Sequence, residues 1–203
     1  MTTFSIVAGV VGADLGARVI LILGLANLLA DGFSMAAGNY SGTKTEIDDY
    51  HRLEAMERHH IETVPDGERE EVRQLLKNKG LEGAALEQAT DSLTDDKERW
   101  IDIMMREEHG LAAVNRSPIN AALSTFAAFI VCGAVPLAPY AVGLSNAFET
   151  SIVATAVVFV IIGAMKSQWS LAPAWRSAAE TLLIGTAAAL VAYYIGVALK
   201  SVV

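Results

Sequence analysis

Residues 19–60 read VILILGLANLLADGFSMAAGNYSGTKTEIDDYHRLEAMERHH, and the change of character inside this stretch decides the architecture. From Val19 to Tyr40 the residues are almost all apolar, and about 20 such residues suffice for a helix to cross a hydrocarbon core. From Lys44 to His60 there is neither proline nor glycine, and the run is rich in helix formers. The membrane helix is therefore expected to continue straight out of the bilayer into water.

What it continues into is an acidic module. Residues 41–118 hold 30 of the 38 charged residues and all four histidines, with 19 Asp or Glu against 11 Lys or Arg; the other 125 residues carry four of each sign. That balance excludes nucleic acid as a partner, because a phosphate backbone is held by clustered Lys and Arg. It favours a cationic ligand, the plain alternative being a solvated helical surface.

Outside the module, Ile119 to Tyr140 and Thr181 to Leu199 are also long enough to span. Thr150 to Met165 is a little short but extends back through Ala147, leaving Glu149 at its mouth, where a carboxylate reaches the interface. Met1 to Gly12 is apolar, yet about 12 residues rise only about 18 Å, short of a core roughly 30 Å thick. With no basic residue ahead of it, this segment is not a secretory signal; it reads as a membrane helix missing its beginning. Cys132 lies in an apolar span without a partner in the chain, which fits packing. The expected fold is all-α: a polytopic membrane protein of five transmembrane helices, the first truncated, with an inserted helical bundle. The expected divisions are 1–40, 41–118 and 119–203.

Lys44, Arg52, Arg116 and the Lys166 to Arg176 loop flank the spans on one side, against Arg18 and Lys200 on the other. Positive flanks stay cytoplasmic, which places the module in the cytoplasm, with Trp169 and Trp175 as interfacial anchors. Within the module, Pro65-Asp66-Gly67 reads as a turn with Asp66 as cap, launching a helix from Glu68 to Lys79 that stops at Gly80. A short amphipathic helix follows over Leu86 to Leu93. Thr94 is expected to cap a last helix from about Asp95 to His109, stopped by Gly110.

The carboxylate spacing suggests a site. Glu54 and Glu57, and Glu68 and Glu71, are three apart and so share helix faces; Glu107 and Glu108 close the last helix. Acidic side chains aimed into one interior repel unless cations lie between them, as in carboxylate metal sites of helical bundles. His59 and His60 sit close to Glu57, and imidazole beside carboxylate suits Fe(II), Mn(II) or Zn(II) better than Ca(II). Acidic i, i+3 pairs are nonetheless frequent on solvated helices, and Met104-Met105 reads from pattern alone as core. In the second span Asp31 is a costly intramembrane carboxylate, with Asn27, Ser34 and Met35 within four residues of it. These could line an ion path, or Asp31 could serve helix packing or a dimer contact. Glu149 and Glu180 lie near span ends and snorkel.

The run Ala30-Asp31-Gly32-Phe33-Ser34-Met35-Ala36-Ala37-Gly38-Asn39-Tyr40 resembles the vacuolar iron transporter family. So do Thr43-Lys44-Thr45-Glu46, Val64-Pro65-Asp66 with Glu68 and Glu71, Trp100 with Met104-Met105, and Val135-Pro136-Leu137-Ala138-Pro139-Tyr140. The resemblance covers essentially the whole chain. It implies a homodimer in the lipid bilayer that exports Fe2+, with Mn2+ as a second substrate, from the cytoplasm in exchange for protons. The ion, Fe2+ or alternatively Mn2+ or Zn2+, is cargo; no prosthetic group is implied. Carried over, Glu57, Glu68, Glu71 and Glu108 fall on the family's metal-binding glutamates, Met104 and Met105 on its methionine pair, and Met35 on its pore methionine.

Departures accompany the match. His60 and Leu111 stand where the family often has glutamates; imidazole can replace a carboxylate ligand, leucine cannot. Asn27 occupies the position of a pore carboxylate, and the first-helix aspartate of the family would precede Met1. The alternative function is therefore a membrane-anchored iron-binding buffer or sensor. An enzyme is not expected, since Gly-x-Ser-x-Gly, His-Glu-x-x-His and phosphate-loop motifs are absent. The compact chain without a targeting extension points to a bacterial inner membrane.

Overall fold

The computed structural model describes residues 1–113 and 115–200, and among these the protein is helical throughout, without strands. In chain order the helices are α1 (Thr2–Gly12), α2 (Ala17–Thr63), α3 (Pro65–Asn78), α4 (Gly83–Thr94) and α5 (Lys97–Glu107). After them come α6 (Pro118–Ala134), a 3-10 turn (Val135–Leu137) with α7 (Ala138–Ala141), α8 (Ala147–Lys166), a second 3-10 turn (Ser167–Trp169) and α9 (Ala174–Leu199). Contacts divide the chain into two compact units, one of Met1–Asn39 with Ala121–Val203 and one of Tyr40–Asn120. The 47-residue α2 contributes its start to the first and its end to the second.

Four helical segments of the described chain are long and apolar enough to cross a bilayer: α2, Pro118–Ala141, Ala147–Trp169 and α9. The fifth apolar segment, α1, has 11 residues and is only about 17 Å long at 1.5 Å per residue. Beside a small core around Ile20, Leu28 and Leu137, many large apolar side chains of this unit point outward: Phe33 is 71% exposed, Leu183 69% and Val131 69%. That inversion suits lipid as solvent, where no hydrophobic force draws leucine inward and helices associate through small residues instead. The α1–α9 contact is made this way. A Cβ on Gly196 would overlap the Gly9 carbonyl oxygen, and one on Gly12 the Tyr193 carbonyl. At the α8–α9 contact a Cβ on Gly163 would lie 2.5 Å from Ala178 Cα.

Polar links complete the membrane unit. Ser151 Oγ donates to the Pro136 carbonyl at 2.9 Å. Asn39 Nδ2 donates to Thr125 Oγ1 at 2.7 Å and to the Ala121 carbonyl at 3.2 Å, joining α2 to α6. The Lys200 ammonium meets Asp14 at 2.8 Å, tying the turn after α1 to the end of α9.

The Tyr40–Asn120 unit packs as soluble proteins do. Its core is Ile61, Val72, Leu76, Leu86, Trp100, Ile101, Met104 and Met105, the two methionines without any solvent exposure. Ion pairs cross between helices around this core: Arg58 to Glu98 at 2.7 Å, Arg69 to Asp91 at 2.5 Å, Arg73 to Glu87 at 2.8 Å, Lys79 to Glu107 at 2.6 Å, and Lys97 to Glu62. Gly80 and Gly110 follow α3 and α5 with φ of 94° and 66°, the left-handed stops that glycine adopts without strain.

Two helix starts differ from expectation. Asp66 is not a cap: α3 begins at Pro65 with Val64 as N-cap, because proline's fixed φ suits the first helical position and its missing N–H costs nothing there. Asp66 instead lies in the first turn, favourable to the helix dipole. Thr94 ends α4, its hydroxyl donating to the Thr90 carbonyl. The cap of α5 is Asp96, which accepts from the Arg99 backbone N–H at 2.9 Å, so the helix starts two residues later than expected.

Candidate metal centre

Three elements of the Tyr40–Asn120 unit bring acidic and imidazole groups together. Glu57 and His60 lie three apart on α2, on one face. Pro65 starts α3 directly after α2 ends, so Glu68, in the first turn of α3, comes within 3.4 Å of His60, Oε1 to Nδ1. The third element is the end of α5. There the chain turns back with the His109 N–H bonded to the Met104 carbonyl and the Leu111 N–H to that of Met105. This turn, released by Gly110, sets His109 Nε2 2.9 Å from Glu57 Oε1.

Two groups of three potential ligands result: Glu57, His60 and Glu68, and Glu57, Glu108 and His109. Within each, one ligand atom per residue lies within 4.8 Å of the others. Glu57 is 2% exposed and Glu68 7%. The Oε2 atoms of both are buried with no hydrogen-bond partner, an arrangement that costs free energy unless something pairs with them. Glu71 and Glu108 face a depression of about 260 Å³, lined also by Glu70, Gln74, Leu75 and Asn78.

The electrostatics are those of an uncompensated anionic site. Among the described residues no Lys or Arg pairs with Glu57, Glu68, Glu71 or Glu108, although Glu62, Glu87, Glu98 and Glu107 around them all have basic partners. Burial, followed by the charges of Glu71 and Glu57, pushes the Glu68 carboxyl up to about 7. Glu108 is raised as well, by burial first and then by Glu71 and Glu57. A divalent cation would relieve both causes at once, since it restores ligands to dehydrated oxygens and separates like charges.

Of the residues singled out in the sequence, Glu57, His60, Glu68 and Glu108 fall in the two groups, and Glu71 lies at the rim beside Glu108. Met104 and Met105 lie in the apolar core. Leu111 packs against that core. In the membrane unit Asn27, Asp31 and Met35 follow one another at four-residue intervals on α2; Asn27 and Asp31 are half-buried and Met35 is 52% exposed. Asn27 Nδ2 is buried without a partner. The residue that sequence reasoning misses is His109. Its one sequence signal is its place between Glu108 and the helix-stopping Gly110.

These features are those of a polytopic helical membrane protein whose hydrophilic unit gathers carboxylates and imidazoles into a candidate cation site. The family model described as the VIT family matches residues 1–197. A vacuolar iron transporter 1 of Tulipa gesneriana is 33% identical over 202 residues, 98% of this chain and 82% of the relative. The vacuolar iron transporter 1 of Oryza sativa subsp. japonica is 33% identical over 193 residues, covering 94% and 77%. A vacuolar iron transporter of Toxoplasma gondii is 33% identical over 215 residues, covering 100% and 71%. This chain belongs to the VIT family. The relatives are named as transporters, not enzymes, and as vacuolar, so the expectation of a bacterial inner membrane has no support from them.

Proposed function

We propose that this protein transports divalent iron across a membrane, capturing Fe2+ at Glu57, His60, Glu68, Glu71 and Glu108. The observation that carries this reading is the pair of buried carboxylates Glu57 and Glu68, each with an unpartnered oxygen and, among the described residues, no Lys or Arg partner. The relatives' names support iron as the ion. Oxygen donors with one or two imidazoles accept Fe2+ and also Mn2+ or Zn2+, so manganese is a second substrate.

The path through the membrane runs along Met35, Asp31 and Asn27 on α2. Here Asp31 supplies the charge, and the thioether and amide oxygen supply neutral donors. Positive flanks around the acidic unit favour its lying in the cytoplasm, and capture there fits export of the ion against inward proton movement. The carboxyl of Glu68, raised to about 7, gives such an exchange a proton to displace when the metal arrives. Two copies of the chain, as a homodimer, enclose the path.

The test is uptake of radioactive Fe2+ by proteoliposomes holding the full chain, beside the double variant Glu68→Ala/Glu71→Ala. Uptake above that of empty vesicles, reduced in the variant, supports transport fed by the cluster. Fe2+ binding that the variant loses, with no uptake by either protein, would make the chain a membrane-anchored buffer or sensor and overturn the proposal.

A further inference from the structure

His109 is absent from the residues that the family resemblance brings to the site, yet its ring lies within hydrogen-bond distance of Glu57: Nε2 is 2.9 Å from Oε1. The His109 side chain is 18% exposed and that of Glu57 3%. With bonds of about 2.1 Å, neighbouring ligand atoms on one ion stand about 3.0 Å apart in an octahedron and about 3.4 Å in a tetrahedron. The His109–Glu57 separation matches the first value, and the His60–Glu68 separation of 3.4 Å the second. Both pairs already have the spacing of adjacent ligands.

A hydrogen bond alone would also hold His109 at 2.9 Å from Glu57. It would not account for the other Glu57 oxygen, which remains buried and unpartnered, as does Glu68 Oε2. Glu57 belongs to both ligand groups, one completed by His60 and Glu68, the other by Glu108 and His109. A carboxylate has two oxygens, so Glu57 can serve both groups at once.

On the reading of this cluster as a divalent-metal site, we propose that His109 is a metal ligand. Together with Glu108 and one oxygen of Glu57 it forms a second ion position beside that of His60 and Glu68. Each position then carries one imidazole nitrogen. Nitrogen donors favour ions later in the first transition row over Mn2+, which prefers oxygen. His109 therefore sets selectivity, moving the site away from Mn2+ and toward Co2+, Ni2+ and Zn2+, with Fe2+ between them.

The experiment adds Co2+ alone, anaerobically, to the full chain in detergent micelles. It counts bound ions by equilibrium dialysis, follows the cobalt d–d absorption and measures displacement by Mn2+. The wild type is expected to bind two Co2+ in the cluster. His109→Gln keeps an N–H for Glu57 but supplies no imidazole; one Co2+ should weaken about tenfold or more, and the preference for Co2+ over Mn2+ should fall by a similar factor. His109→Glu should hold two ions again with the preference still lost, and it serves the same purpose should the glutamine variant fail to fold. Unchanged stoichiometry, spectrum and preference in both variants would leave His109 a hydrogen-bond donor only and overturn the inference. Co2+ binding that is indifferent to a Glu57→Gln/Glu68→Gln double variant would instead overturn the metal-site reading beneath it.

Discussion

Glu68 offers the sharpest physical prediction, because its environment penalises its charged form. Its carboxyl stands at about 7 in the folded protein against an ordinary value of 4.5. A raised carboxyl means the fold favours the protonated form, so the stability it contributes is present below the unfolded value and is lost as pH rises through the folded one. At 1.36 kcal/mol per unit the full loss is about 3 kcal/mol, of which about 2 kcal/mol falls between roughly pH 5.5 and pH 8. Glu108, raised for the same reasons, acts in the same direction.

The assay is hydrogen exchange of the α3 and α5 amides in the full chain, with chelator present and corrected for intrinsic rates. The opening free energy of the wild type should fall with rising pH. The Glu68→Gln variant should show a shallower slope and greater stability than wild type at the alkaline end. In the presence of metal the proton must leave first, so apparent affinity should rise about tenfold per pH unit up to about 7 and level off above it. A wild type whose local stability rises between these pH values, or a Glu68→Gln variant with an unchanged slope, would refute the reasoning.

Other perturbations reach different parts of the fold. Gly196→Val should break the α1–α9 contact, because the new side chain meets the Gly9 carbonyl; a loss of about 1–3 kcal/mol is expected, read as a lower thermal midpoint in detergent. Met104→Ala should destabilise the Tyr40–Asn120 unit by about 2–5 kcal/mol and Met104→Leu by less than about 1.5 kcal/mol, since Met104 is fully buried; amide exchange in α5 reports both. Gly110→Ala places a side chain at φ of 66°, costing about 1–2 kcal/mol. It should also weaken metal binding by shifting His109, measurable by Co2+ titration.

The helical class and the course of α2 are legible from residues alone, because an apolar run of spanning length passes into helix formers without a breaker. Gly80 and Gly110 are legible as stops for the conformational reason that glycine alone enters the left-handed region freely. The start of α5 is not, since Thr94 and Asp96 are both capping types and only the backbone path decides which oxygen faces the Arg99 N–H. The site divides similarly. Three-residue spacing puts Glu57 and His60 on one face, but which helix that face meets depends on packing of Val72, Leu76, Trp100 and the two methionines. His109 escapes notice because its side chain reaches Glu57 through a helix-ending turn, 52 positions along the chain, where helical periodicity no longer applies.

Transport of Fe2+ in exchange for protons is open to direct test in proteoliposomes that carry the full chain and enclose a pH indicator. With Fe2+ outside and an acidic interior, Fe2+ should enter as lumenal pH rises, with both signals diminished when the gradient is collapsed. Fe2+ entry at the same rate with and without the gradient, and no lumenal pH change, would contradict the exchange; no entry under either condition would contradict transport itself.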